Sequence, residues 1–119
     1  MTEPFVASTY CHCTRCQRRT GSGASANARV AASGFSVVRG EDRLRSWKPA
    51  SGAEKFFCGH CGSAMFSRSG NEWVGVRLGV LDGDPGIRPT ARQFVAYAAA
   101  WEPLPDDGLR RHDESALSR

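Results

Sequence analysis

Cys11-His12-Cys13-Thr14-Arg15-Cys16 gathers three of the chain's five cysteines into six residues, and Cys58-Gly59-His60-Cys61-Gly62 repeats the two-residue gap far downstream. Cysteines this close along the chain bridge one another only with strain, whereas thiolates from a tight loop converge readily on one small soft cation such as zinc. An odd number of cysteines also leaves one over in any disulfide scheme. The two clusters therefore read as metal-binding loops around which the rest of the chain is arranged.

Outward from the first loop, Val6 to Tyr10 has the β-branched and aromatic content of a short strand, and Gln17 to Thr20 allows a turn of helix that Gly21-Ser22-Gly23 breaks. Ser25 to Ala32 alternates, with Ala26, Ala28, Val30 and Ala32 on one face and Ser25, Asn27, Arg29 and Ala31 on the other. The small residues of the first face suggest that the metal loop packs over it. Phe35 to Arg39 and Leu44 to Trp47 read as further strands, the latter stopped by Pro49. Glu54 to Phe57 and Ala64 to Ser67 flank the second cysteine pair as a hairpin. Glu72 to Val80 alternates most clearly, Val74, Val76, Leu78 and Val80 opposing Trp73, Gly75, Arg77 and Gly79. Glycines on that second face leave room for close packing or a ligand. A last strand is expected over Arg92 to Tyr97, and after Trp101 the composition turns to prolines and charges, as in a surface wrap with a frayed end. Many short strands with almost no helical period give a mainly β fold, organised as one domain over residues 1–109 and a polar tail over 110–119.

A chain of 119 residues with 40% hydrophobic content has material for one modest core. No apolar run is long enough to span a bilayer, and Met1 to Phe5 has neither a basic start nor an apolar signal core. The expected location is cytoplasmic, where thiols stay reduced and clustered cysteines serve metal or redox chemistry. The net charge of +4 is mild, the lysines are only Lys48 and Lys55, and the arginines are scattered. Nucleic acid is not the partner such a distribution points to.

The metal chemistry allows two groupings. One joins Cys13 and Cys16 to Cys58 and Cys61 in a closed four-thiolate structural site, with Cys11 spare; this is the site of a non-catalytic zinc module that binds a protein or other partner. The other keeps Cys11, Cys13 and Cys16 together with a fourth position open, as catalysis requires. On a helical turn Arg15, Arg18 and Arg19 share one face beside that metal and suit a substrate carrying carboxylates. His12 and His60 sit inside the loops, where the residue between two ligands tends to point away from the metal. His112 lies in the polar tail, where solvent is its expected surrounding.

The runs Cys11 to Ser22 and Phe57 to Ser63, with Leu78 to Pro85 and Ala100-Trp101, resemble the glutathione-dependent formaldehyde-activating enzymes, whose relatives include centromere-protein-V-like proteins. The resemblance implies an Mss4-like β-tent of short antiparallel strands with a zinc-binding hairpin and loop. It also implies two zinc sites and a carbon–sulfur lyase activity that joins glutathione, or a related small thiol, to an aldehyde such as formaldehyde. On the family's pattern Cys11, Cys13 and Cys16 hold the catalytic zinc, and Cys58 and Cys61 are half of a structural site. The other half in the family is a C-x-C pair in an N-terminal strand, and residues 1–10 contain no such pair. The resemblance then implies an upstream start, a degenerate structural site, or ligands borrowed from the first cluster.

Overall fold

The alternation of the central strands sorts their residues onto two faces of different chemistry. A computed structural model describes residues 4–116. It contains β1 (Ala7–Cys11), α1 (Thr14–Thr20), β2 (Ser25–Ala31), β3 (Leu44–Trp47), β4 (Glu54–Cys58), β5 (Ala64–Ser69), β6 (Trp73–Arg77), β7 (Ala91–Gln93) and β8 (Arg110–Arg111). All eight strands form one sheet in the order β3-β4-β5-β6-β2-β1-β7-β8. Pairing is antiparallel from β3 through β1, while β7 runs parallel to both β1 and β8. The fold is mainly β, as the sequence leads one to expect. Among the described residues no helix is long and apolar enough to cross a membrane.

On one face the register aligns Ala28, Val76, Phe66 and Phe56 across four strands. Here lies the core: Val30 and Val74 are fully buried, Val76 and Phe66 nearly so, and Phe35, Val37, Leu44, Met65 and Leu81 pack against them. The Phe66 ring stacks on Phe56 at 4.6 Å and tilts against Phe35 at 4.8 Å, geometries that aromatic pairs favour. On the opposite face the same register aligns Ala7, Arg29, Gly75, Ser67, Lys55 and Trp47 in one row across six strands. Small residues between long cationic and aromatic ones make this row concave.

Five local expectations are corrected. Phe35 to Arg39 is not a strand: after a short 3-10 turn at Ala32–Gly34 the segment crosses the apolar face, docking Phe35 and Val37 on the core and leaving Val38 91% exposed. The cysteine loop does not cover the small residues Ala26 and Ala28. Cys11 pairs with Ser25, and the loop stands on the polar face of β2. β6 ends at Arg77 and a 3-10 turn follows, while β7 ends at Gln93 because Phe94 adopts φ +55. Finally, residues 110–116 are not frayed. β8 extends the sheet, and backbone bonds run from His112 N to Arg92 O (2.8 Å), from Val95 N to His112 O (3.0 Å) and from Phe94 N to Glu114 O (2.9 Å).

Candidate metal centre and anion cavity

β1 delivers Cys11 to the edge of the concave face, and the chain then turns into α1 through Cys13. Cys13 is the helix N-cap, extended at φ −63, ψ 154, and its Sγ accepts a 3.3 Å hydrogen bond from Cys16 N. That bond satisfies one of the amides left over at a helix start. At the other end Gly21, at φ +65, closes the helix by donating to Gln17 O at 2.8 Å, the left-handed cap that glycine fills without steric cost. The loop is tied from both sides: His12 N donates to Gln93 O at 3.0 Å, and Gln17 Nε2 donates to His12 O (2.7 Å) and Tyr97 O (2.8 Å).

This frame brings the Sγ atoms of Cys11, Cys13 and Cys16 within 4.8 Å of one another, the one group of three or more potential ligands among the described residues. Three ligands of a tetrahedral zinc stand about 3.8 Å apart, so a small contraction suffices. The thiols also perturb one another strongly. Cys13 is held far below the usual thiol range by hydrogen bonds from Cys11 and Cys16, while Cys16 is pushed up by its hydrogen bonds with both other thiols and Cys11 by its hydrogen bond with Cys13. Three sulfur ligands gathered this closely could hold a metal ion, and an all-sulfur donor set is one that zinc favours.

His12 is buried rather than exposed, and it supports the loop from behind. Its ring N–H donates to the Gly23 carbonyl, and its Nε2 lies 3.2 Å from Arg92 Nη1. Arg92 in turn donates to Asp107 Oδ2 at 2.6 Å and lies 4.6 Å from the centre of the Tyr10 ring. The ion pair holds the Asp107 carboxyl below the usual carboxylate range, first through the Arg92 hydrogen bond and then through Leu109 N. A depressed carboxyl favours the fold above its unfolded pKa, and that contribution is lost as pH falls through the folded value. Wild type is therefore expected to lose urea resistance below about pH 4, and Asp107→Asn to show a flatter dependence there. Denaturant midpoints measured across pH 3–7 check this.

The thiols line a cavity of about 360 Å³ on the concave face, together with Arg15, Arg29, Lys55 and Arg77. No aspartate or glutamate lines it. Arg15 sits at the edge, donating to Ser51 O at 3.0 Å and lying over Trp47 at 5.6 Å. Arg29 lies over Trp73 at 5.2 Å. Arg77 is only 8% exposed and donates to Ser67 Oγ at 2.9 Å. Burial lowers the pKa of Arg77, and that of Lys55, where repulsion from Arg77 adds to the effect.

Of the three helix arginines only Arg15 lines the cavity. Arg18 is exposed, and Arg19 lies beside Cys16 with a buried, unbonded Nε. A seven-residue helix against a sheet can turn only part of its surface to the cavity, so i, i+3, i+4 spacing does not bring all three there. Arg29, Lys55 and Arg77 come instead from the strands. Their signal was present, since Arg29 and Arg77 share a face with Asn27 and Gly75, the face whose glycine left room for a ligand.

Cys58 and Cys61 are elsewhere. Cys58 faces the core side, opposite Leu44 and beside an apolar groove, while Cys61 is exposed at the hairpin tip with its Sγ 3.1 Å from Ser63 Oγ. His60 is exposed with it, and His112 is partly buried beside β7. The closed set of Cys13, Cys16, Cys58 and Cys61 is thus not assembled among the described residues.

A family model described as glutathione-dependent formaldehyde-activating enzyme matches residues 1–97. The chain belongs to this family. A crystal structure of a Rhodobacter sphaeroides protein resembles this formaldehyde-activating family member with a TM-score of 0.57 and 23% identity, over 92% of this chain and 84% of that one. At that identity the likeness speaks to the fold. No curated protein matches the family member in sequence.

Proposed function

We propose that the chain is a zinc-dependent carbon–sulfur lyase that reversibly joins glutathione, or a related small thiol, to an aldehyde such as formaldehyde. The observation that carries this reading is the convergence of three thiols on a cavity lined by four cationic side chains and no acid. Family membership supports it. Cys11, Cys13 and Cys16 hold the metal, which when bound supplies a positive charge that favours the thiolate of an incoming thiol at neutral pH. In the reaction a sulfur–carbon bond forms, the carbonyl π pair moves onto oxygen, and the proton lost by the thiol ends on that oxygen. Arg15 and Arg29, each backed by a tryptophan ring, orient the substrate by its carboxylates. Cys58 and Cys61 act as ligands of a second, structural metal.

The test is the rate at which glutathione and formaldehyde reach equilibrium with their thiohemiacetal, followed by exchange NMR with protein of measured zinc content. Acceleration proportional to zinc-loaded protein is expected. Unchanged exchange with fully loaded protein would overturn the reading. A Cβ at Gly75 would meet nothing within 4 Å, so a larger side chain there points into open cavity. Gly75→Leu is expected to leave stability within about 1 kcal/mol while raising the thiol KM more than about tenfold by occupying the binding space. Steady-state kinetics beside urea melts measure both.

A further inference from the structure

The second cysteine pair is half of a metal shell that no other described residue completes. Cys58 closes β4, and Cys61 stands exposed at the hairpin tip with its thiol near enough to that of Cys58 to interact with it. A structural zinc takes four protein ligands in a tetrahedron. Among the described residues no third cysteine, histidine or carboxylate gathers with this pair, the neighbouring His60 included. The surface around it is apolar and basic. Cys58 borders a groove of about 400 Å³ with Val37, Val38, Leu44, Met65 and Leu81, where Val38 is almost wholly exposed. Arg43 borders the same groove and holds the tip by accepting at its carbonyl from Gly59 N at 2.7 Å, while the Arg45 side chain packs against Gly59. No carboxylate lines the groove.

We infer that a second copy of this chain supplies the missing ligands, so that Cys58 and Cys61 of both copies hold one zinc between two hairpin tips. This rests on the reading of these cysteines as ligands of a structural metal and names what completes their shell. A twofold axis through the metal meets the need, because each copy then presents the same two thiolates and the same groove. Only an exposed pair can be shared in this way. The first cluster, by contrast, has Cys11 buried and its thiols turned into the concave cavity. Four thiolates around one divalent zinc carry a net negative charge, which Arg43 and Arg45 of each copy lie close enough to offset. Joining the tips also brings two apolar grooves together and covers surface that a lone chain leaves in water.

The test weighs the full 119-residue chain by light scattering in reducing buffer and counts its zinc. Expected is a dimer with about 1.5 zinc ions per chain, one on each first cluster and one shared at the bridge. Cys13→Ser, which empties the first cluster, should still dimerise on about half a zinc per chain. Cys61→Ser changes an exposed side chain and should keep the fold, yet run as a monomer with about one zinc per chain. Val38→Asp, which sets a charge in the groove, should weaken the dimer at least about tenfold. Should Cys61→Ser fail to fold, stripping zinc from Cys13→Ser with a chelator takes its place and should likewise give monomers. A monomer holding about two zincs keeps the structural metal and overturns the second copy as its partner. A monomer holding about one zinc, with Cys61→Ser indistinguishable from wild type, overturns both. A dimer that survives Cys61→Ser or chelation overturns the zinc bridge.

Discussion

Replacing Cys13 by serine is expected to strip the first cluster of its metal while leaving α1 in place. The two consequences separate because Cys13 has two jobs. As helix cap its sulfur accepts from Cys16 N, and serine is among the residues best suited to that position. As a metal ligand it is one of three thiols whose sulfurs converge within 4.8 Å, and a hydroxyl does not replace a thiolate. Losing a group that merely supports a ligand costs about 10–100-fold in metal affinity, so losing a ligand should cost more than about a hundredfold. Zinc competition against a chromophoric chelator measures the loss, circular dichroism confirms the helix and sheet, and the thiol–aldehyde acceleration should vanish. Wild-type zinc affinity in Cys13→Ser would remove the three-thiol site from consideration.

The largest effect on stability is expected at Phe66, on the other face of the same sheet. Its ring is packed between Phe35 and Phe56, and it is one of four buried residues at the centre of the core. Phe66→Ala should cost about 3–5 kcal/mol, transfer and cavity contributions together. For a domain whose total stability is about 5–15 kcal/mol, that is a large share. Phe66→Leu, which fills most of the volume, should cost less than about 1.5 kcal/mol. Urea unfolding of both variants tests the pair. A loss below about 1 kcal/mol in Phe66→Ala would mean that this face is not the core.

Elements whose signal is local were legible in the sequence. The hairpin of β4 and β5 follows from two apolar runs around a glycine-rich tip, and β2 and β6 follow from alternation along a half-buried sheet. The cysteine loop was marked by spacing alone. What stayed hidden depends on partners distant in the chain. β8 is two residues of arginine, with nothing in Arg110 and Arg111 to suggest a strand until β7 lies beside them. Phe35 and Val37 carry strand-like residues, yet the open core face draws them across the sheet. The cavity cations were obscured for the same reason: Arg29, Lys55 and Arg77 lie on three strands, and only register makes them neighbours.

The clamp behind the cysteine loop also fixes an order of events during synthesis. Residues 11–16 leave the ribosome early, but Gln93, which receives the His12 amide, and Arg92, which meets the His12 ring, come some eighty residues later. Asp107, which anchors Arg92, comes later still. The loop that is made first is therefore seated last. A message cut short before the codon for Asp107 would yield a protein with all five of these cysteines intact and without the Asp107 carboxylate that holds Arg92 against the loop.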